Sequence, residues 1–140
     1  LAGLRGGDAL LFVDADPSVL AMGDLERAGA VVVIGTALPE VLRTADAVLP
    51  IANMVEEEGT FTNIRGRVQR FLQARAAPGM ARPSWWVLGD LLARMGEPGS
   101  YFLASDVFAA LAASRSEFNG MSYDSLGLRG LPVMTPAGAR

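Results

Sequence analysis

Hydrophobic positions are grouped in unbroken blocks in the first half of the chain and at helical intervals in the second. Ala9–Val13 (ALLFV) is a short apolar run that reads as a buried strand. Asp16-Pro17 follows with the marks of a helix start, since Asp accepts from unpaired amides and Pro loses no needed donor there. Val19, Leu20 and Leu25 give that helix an apolar side through Arg27, and Gly29 is its stop. Ala30–Gly35 (AVVVIG) is uninterrupted and β-branched, the pattern of a strand covered on both faces. A short helical segment over Pro39–Thr44 and a third strand over Ala47–Ile51 complete the half.

Strand, helix, strand, helix, strand at this spacing predicts a parallel sheet with crossover helices. The fold class is therefore α/β: a Rossmann-like parallel sheet segment, followed by helices and an irregular C-terminal tail. The first strand runs into DADPS and not into G-x-G-x-x-G, which leaves a nicotinamide or flavin adenine site without support. In Pro83–Gly96 the residues Trp85, Leu88, Leu91, Leu92 and Met95 recur every three or four positions and predict an amphipathic helix. Ser105 is the expected cap of another, over Asp106–Ala113, and the Gly- and Pro-rich end is expected to be mostly irregular. The division expected is residues 1–77 for the Rossmann-like part with its polar loop, and 78–140 for the helical extension and tail.

Composition narrows the chemistry. Hydrophobic residues make up 51% of the chain and mean hydropathy is +0.30. No apolar run approaches the ~20 residues that cross a bilayer, so direct membrane insertion is not expected. High apolarity without a span predicts surface that is buried against neighbouring protein. Leu at the first position suggests a processed chain or a piece of a longer one. With no cysteine and no histidine, the chain offers no thiolate for a cluster, no structural zinc site and no His-based triad. A net charge of −3 without a long basic tract argues against nucleic acid as a partner.

The polar stretch EEEGTFTNIRGRVQR, Glu56–Arg70, is the part richest in candidate chemistry. Gly59 and Gly66 permit close backbone approach, Thr60, Thr62 and Asn63 are neutral polar groups, and Arg65 and Arg67 carry forked donors. Such a set can hold a phosphate, although the Gly-Lys-Ser/Thr ending of a P-loop is missing. The simpler reading pairs Glu56, Glu57 and Glu58 with Arg65, Arg67 and Arg70 in a structural loop, each exposed pair contributing about 0–1 kcal/mol. The glutamates read as a solvated run, and Trp85 and Trp86 as core or interface anchors.

TADAVLP, Thr44–Pro50, followed by EEEGTFTNIRGRVQ, Glu56–Gln69, resembles the molybdopterin oxidoreductase superfamily. Its members run T-x-x-A-D-V-V-L-P and then E-x-x-G-T-x-x-N-x-E-G-R-x-Q. Pro78–Gly96 resembles the family's proline–glycine turn and tryptophan-containing helix, and Phe118–Gly130 its y-x-G-i-s-Y-x-x-L segment. FVDADPSVL, Phe12–Leu20, stands where the family often has G-x-N-P after a strand. The likeness covers most of the chain in the same order.

Within the superfamily, the resemblance as read here points first to the large iron–sulfur subunit of respiratory complex I. The wording of the loop, Arg65 in place of the usual glutamate, and the end soon after LGLRGLPV favour it. That likeness implies a non-catalytic scaffold segment supporting electron transfer from NADH to quinone, with no catalytic or metal-binding residues of its own. It also implies iron–sulfur clusters elsewhere in the subunit, other peripheral-arm subunits as partners, and a peripheral place on the cytoplasmic face of the inner membrane. The alternative implied is a catalytic molybdopterin oxidoreductase such as a formate dehydrogenase, with residues 56–70 near a molybdopterin cofactor. A small stand-alone interaction module is a third class. If a ligand is held, the residues matching the family pattern are Gly59, Thr60, Asn63, Gly66 and Arg67, with Glu58 anchoring the loop.

Overall fold

Ala30–Gly35 forms β2, and its β-branched run is bonded along both edges. β1 (Ala9–Val13) and β3 (Ala47–Pro50) flank it in a parallel sheet of order β1-β2-β3. This computed structural model describes residues 5–15 and 22–133. The expected helix start at Asp16-Pro17, with Val19 and Leu20, lies outside them. The helix is seen as α1, Met22–Arg27. A single 3-10 turn, Glu40–Leu42, stands where a short helical segment was expected.

The register pairs Leu11 with Val32 and Val13 with Ile34, then Val33 with Val48 and Ile34 with Leu49. Val31, Val33 and Leu42 form a buried core against which Phe12, Leu25, Ala28, Val41 and Ala45 pack. Leu25 on α1 and Leu42 in the 3-10 turn thus meet the same face of β2. Right-handed crossovers that step the same way across a sheet lay their helices on one face, which is the arrangement here. One correction follows. β1 was expected to be buried, but Ala9, Leu11 and Val13 are exposed, because β1 is an edge strand whose outer face α1 does not reach.

Asp46, from the TADAVLP motif, ties β3 to the centre of the sheet. Its carboxylate accepts from the Val31 N–H at 2.7 Å, and its own N–H donates to the Val31 carbonyl at 2.8 Å.

The chain divides into two compact units, one of Leu1–Asn53 with Ala77–Ser84 and the other of Met54–Ala76 with Trp85–Arg140. The second unit contains a sheet that the periodicity did not reveal. β4 (Gly59–Thr62), β5 (Arg67–Phe71) and β6 (Leu131–Pro132) form an antiparallel sheet in that order. The stretch expected to be a loop is therefore a hairpin, and the end expected to be irregular supplies a strand after a series of turns. Val68, Ala104, Phe108, Tyr123 and Leu126 make up its buried core. α2 (Ser84–Arg94) falls within the expected Pro83–Gly96. α3 (Ala104–Ser114) begins one residue before the expected cap. Asp106 sets that start by accepting from the N–H groups of Leu103 at 3.0 Å and Phe102 at 3.2 Å, so Ser105 lies inside the helix.

Gly89, in the middle of α2, costs about 1 kcal/mol of helix propensity relative to alanine. Packing gives the reason. A Cβ on Gly89 would strike the Gly99 carbonyl, and one on Gly99 would strike the Gly89 carbonyl and approach Leu92 Cβ at 2.8 Å. The backbone after α2 therefore lies directly on the helix.

Asp46→Ala should lower stability by about 1–3 kcal/mol, because the Val31 amide loses a charge-assisted partner inside the sheet. Denaturant unfolding followed by tryptophan fluorescence reads the effect, and an unchanged midpoint would refute the clamp. Tyr123→Phe should behave in the opposite way. The Tyr123 hydroxyl is buried and has no hydrogen-bond partner among the described residues, so removing it should be neutral or stabilising by about 1 kcal/mol. Burial, with Glu58's charge adding to it, raises this tyrosine's pKa above its usual 10.0, while Arg70 pulls the other way. The unfolded chain therefore loses that proton first. Tyr123's contribution is complete below about pH 10 and is lost as pH rises toward the folded-state pKa. The Phe variant should show less alkaline destabilisation over that window.

Candidate functional site

The five family-pattern residues lie on one hairpin. Gly59 and Thr60 start β4, paired with Phe71 and Arg70, while Asn63 and Gly66 form the turn and Arg67 opens β5. Gly59 stands roughly 10 Å along the strand from the turn, at about 3.3 Å per residue. The turn gathers Asn63, Gly66 and Arg67 and leaves Gly59 and Thr60 at the other end of β4.

The chemistry of the turn is directed mostly inward. Asn63 Oδ1 accepts from the N–H groups of Arg65 at 2.9 Å and Arg67 at 3.1 Å, while its Nδ2 donates to Gln69 Oε1 at 3.0 Å. Gly66 has φ +68°, a left-handed conformation in which a side chain is strained. Arg67 Nη1 donates to the carbonyls of Gly130 at 2.7 Å and Arg129 at 3.2 Å. Gly130, at φ +68°, lies so close to β5 that a Cβ would collide with the Val68 carbonyl. Arg67 and Gly130 together fasten β6 to the hairpin. Gly59 meets Phe71, whose ring would stand 3.0 Å from an added Cβ.

Glu56, expected to pair with Arg65, Arg67 or Arg70, meets an arginine outside that set. Glu56 is buried, and its carboxylate accepts from Arg75 Nε at 3.0 Å and from Arg75 Nη2. Gln73 Nε2 donates to the Glu56 carbonyl at 2.8 Å. Glu58 accepts from Trp85 Nε1 through its carbonyl at 3.2 Å. Arg70 sits over the Tyr123 ring, 4.1 Å from its centroid, with Asp124 at 3.8 Å. The arginine that matters to Glu56 lies beyond β5, where a pairing rule confined to the turn does not look.

A second site escaped the sequence reading. At the C-terminal ends of β1 and β2, Phe12, Asp14, Val33, Gly35, Thr36 and Leu42 help to line a cavity of about 160 Å³. In open parallel sheets, this end of the strands is where ligands bind. Asp14 is held on both sides: its N–H donates to the Ile34 carbonyl at 2.8 Å, and its Oδ1 accepts from Thr36 Oγ1 at 3.0 Å and Thr36 N–H at 3.3 Å. Its φ is +44°, the one positive value at a non-glycine among the described residues. The signal was present in the alignment of FVDADP with G-x-N-P. Asp14 occupies the glycine's place, and the left-handed backbone shows why glycine is usual there. Asp is one of the few residues that tolerate that conformation.

Two substitutions should separate backbone strain from carboxylate chemistry. Asp14→Val should destabilise the fold by about 1–2 kcal/mol through the left-handed backbone, whereas Asp14→Gly should be tolerated. Thermal unfolding of the two variants side by side checks this, and equal losses would show that the conformation is not the constraint.

The molybdopterin oxidoreductase family pattern matches residues 9–94. The chain is 42% identical over 103 residues to F420-dependent formate dehydrogenase 2 subunit alpha of Methanococcus maripaludis, covering 71% of this chain and 15% of that protein. It is 40% identical over 82 residues to the putative formate dehydrogenase YrhE of Bacillus subtilis, covering 59% and 8% respectively. It is 37% identical over 109 residues to the assimilatory nitrate reductase catalytic subunit of Bacillus subtilis, covering 73% and 15%. The chain thus spans between 8% and 15% of the length of these relatives. They overturn the complex I reading, which had leaned on Arg65. That residue lies at the exposed hairpin turn and meets Asn63 through its backbone N–H, so the turn does not depend on which side chain stands there. The clamp at Asp46, the Asn63 turn and the strand-end cavity at Asp14 all fall inside the matched span, and the chain belongs to the molybdopterin oxidoreductase family.

Proposed function

We propose that this chain is a cofactor-side segment of a catalytic molybdopterin oxidoreductase of the formate dehydrogenase type. The observation that carries the reading is the 42% identity to a formate dehydrogenase subunit across 71% of the chain. The cofactor of that family would supply the redox chemistry, taking two electrons as formate becomes carbon dioxide and a proton. A chain without cysteine or histidine brings neither thiolate nor imidazole, so its role is to bind and orient the organic part of the group.

The strand-end cavity fits that role. Its volume of about 160 Å³ suits a single ring or a sugar and not a whole pterin cofactor. The Asp14 carboxylate accepts hydrogen bonds, which matches the N–H and O–H donors of a pterin, base or ribose. Among the described residues no arginine lines the cavity, which favours a donor-bearing ring or sugar there over a phosphate. Thr36, by donating twice to Asp14, fixes the direction in which that carboxylate faces. In unit two, Asn63, Gly66 and Arg67 make a stiff turn, and Gly59 and Thr60 begin the strand that carries it. These residues shape the hairpin and serve the cofactor through rigidity.

Nitrate reduction is the second reading, favoured by the 37% identity over 73% of the chain. The complete gene product should be purified and analysed for molybdenum, tungsten and pterin. It should then be assayed for formate-dependent viologen reduction and for nitrate-dependent oxidation of reduced viologen. The expected result is stoichiometric metal and pterin with formate activity. Activity with nitrate alone would transfer the assignment to the second reading, and absence of pterin would overturn both. Asp14→Ala should lower pterin content about 10-fold or more, the loss expected from one hydrogen bond to a charged group.

A further inference from the structure

We propose that the tip of the β4–β5 hairpin, together with the turn that leads into β6, docks an acidic face of a separate protein subunit. The inference goes beyond the proposed reaction and does not depend on it.

The two segments form one surface because Arg67 joins them. It opens β5 directly after the hairpin turn, and its Nη1 reaches the carbonyls of Arg129 and Gly130. Val133 N–H donates to the Gly66 carbonyl at 2.7 Å, so the chain after that second turn runs back to the tip. Arg65 and Arg129 are exposed, and no ion pair among the described residues neutralises either one. The hydrogen-bond partners of the Arg67 side chain are neutral carbonyls, so its charge is aimed without being cancelled. Residues 63–69 and 125–133 hold these three arginines and no carboxylate, in a chain whose net charge is −3. Asp124, the next acid in sequence, lies beside Arg70. The same two turns carry Ile64, 104% exposed, and Leu128, 100% exposed.

This mixture of fixed positive charge and bare aliphatic surface selects the occupant. A small anion would pair with the guanidiniums and leave Ile64 and Leu128 in water. A bilayer surface is usually met with Trp or Tyr, and neither segment contains one. Nucleic acid calls for aromatic stacking or a longer basic tract, and the segments offer neither. An acidic protein face satisfies both features. Its carboxylates take the planar guanidiniums bidentately, and its apolar centre covers Ile64 and Leu128. Arginine is enriched at protein interfaces, where it supplies many of the strongest contacts. The turn is also stiff before any partner arrives, since Asn63 and Arg67 fix its backbone, and docking therefore has little order to impose.

Carbodiimide cross-linking tests the proposal, because this sequence contains no lysine. Arg65→Lys and Arg129→Lys are introduced into the complete gene product, which is expressed in its source cells. Carbodiimide added to the fresh extract joins an amine to a carboxylate in contact with it. Mass spectrometry should find the amine placed at position 65 or 129 in amide linkage to an Asp or Glu of one second polypeptide. That polypeptide, once purified, should bind the Arg65→Glu, Arg129→Glu double variant at least about 10-fold more weakly than the unaltered protein at about 0.15 M salt. A link to the protein's own polypeptide, or no link at all, would overturn the proposal, and so would unchanged affinity in the double variant. Binding to vesicles of anionic lipid that the double variant loses, without a protein link, would overturn it in favour of a membrane surface. The readout needs neither pterin nor formate activity, so failure of the proposed reaction leaves this result interpretable.

Discussion

The backbone ladder of β2 is the constraint on which unit one depends. It is bonded to β1 along one edge and to β3 along the other, and its side chains Val31 and Val33 carry the buried face. Asp46 reinforces it where β3 begins, by meeting both polar groups of Val31. The ends of β1 and β2 are placed by this ladder, and so is the distance between Asp14 and Thr36 that defines the strand-end cavity. The candidate chemistry is therefore a property of the sheet before it is a property of any loop.

Much of unit one was legible in the sequence because its strands are continuous apolar blocks. Ala9–Val13 and Ala30–Gly35 have the expected bounds, and the third strand ends one residue sooner than expected. Burial of β1 was misread because an edge strand and a central strand of a parallel sheet have the same apolar content. Only the direction of neighbouring crossovers tells them apart. Unit two was harder. In β4 and β5 polar residues occupy inward and outward positions alike, and the hairpin is made by Asn63 bonding to its own neighbours, a local device without hydrophobic periodicity. β6 is two residues long and is held by Arg67 and Gly130, more than 60 residues apart in sequence, a pairing that no window along the chain could register.

The candidate site shows the same division. Sequence motifs drew attention to Gly59, Thr60, Asn63, Gly66 and Arg67, whose described bonds build the hairpin. Asp14 drew less, because it departs from the family's glycine. Its left-handed backbone and its two bonds from Thr36 come into view only when the strand ends are seen together. A departure from a pattern can thus mark a position as clearly as agreement, provided the backbone reason for the pattern is known.

The facing glycines of α2 and the segment after it limit which substitutions this part of the chain can accept. Gly89 and Gly99 block side chains at one another's positions, so the two backbones touch without cushioning groups between them. Such a contact cannot be retuned by small volume changes, because the smallest available step is already a collision. A side chain at either position would force the two backbones apart, so Gly89 and Gly99 are held to glycine by one and the same contact.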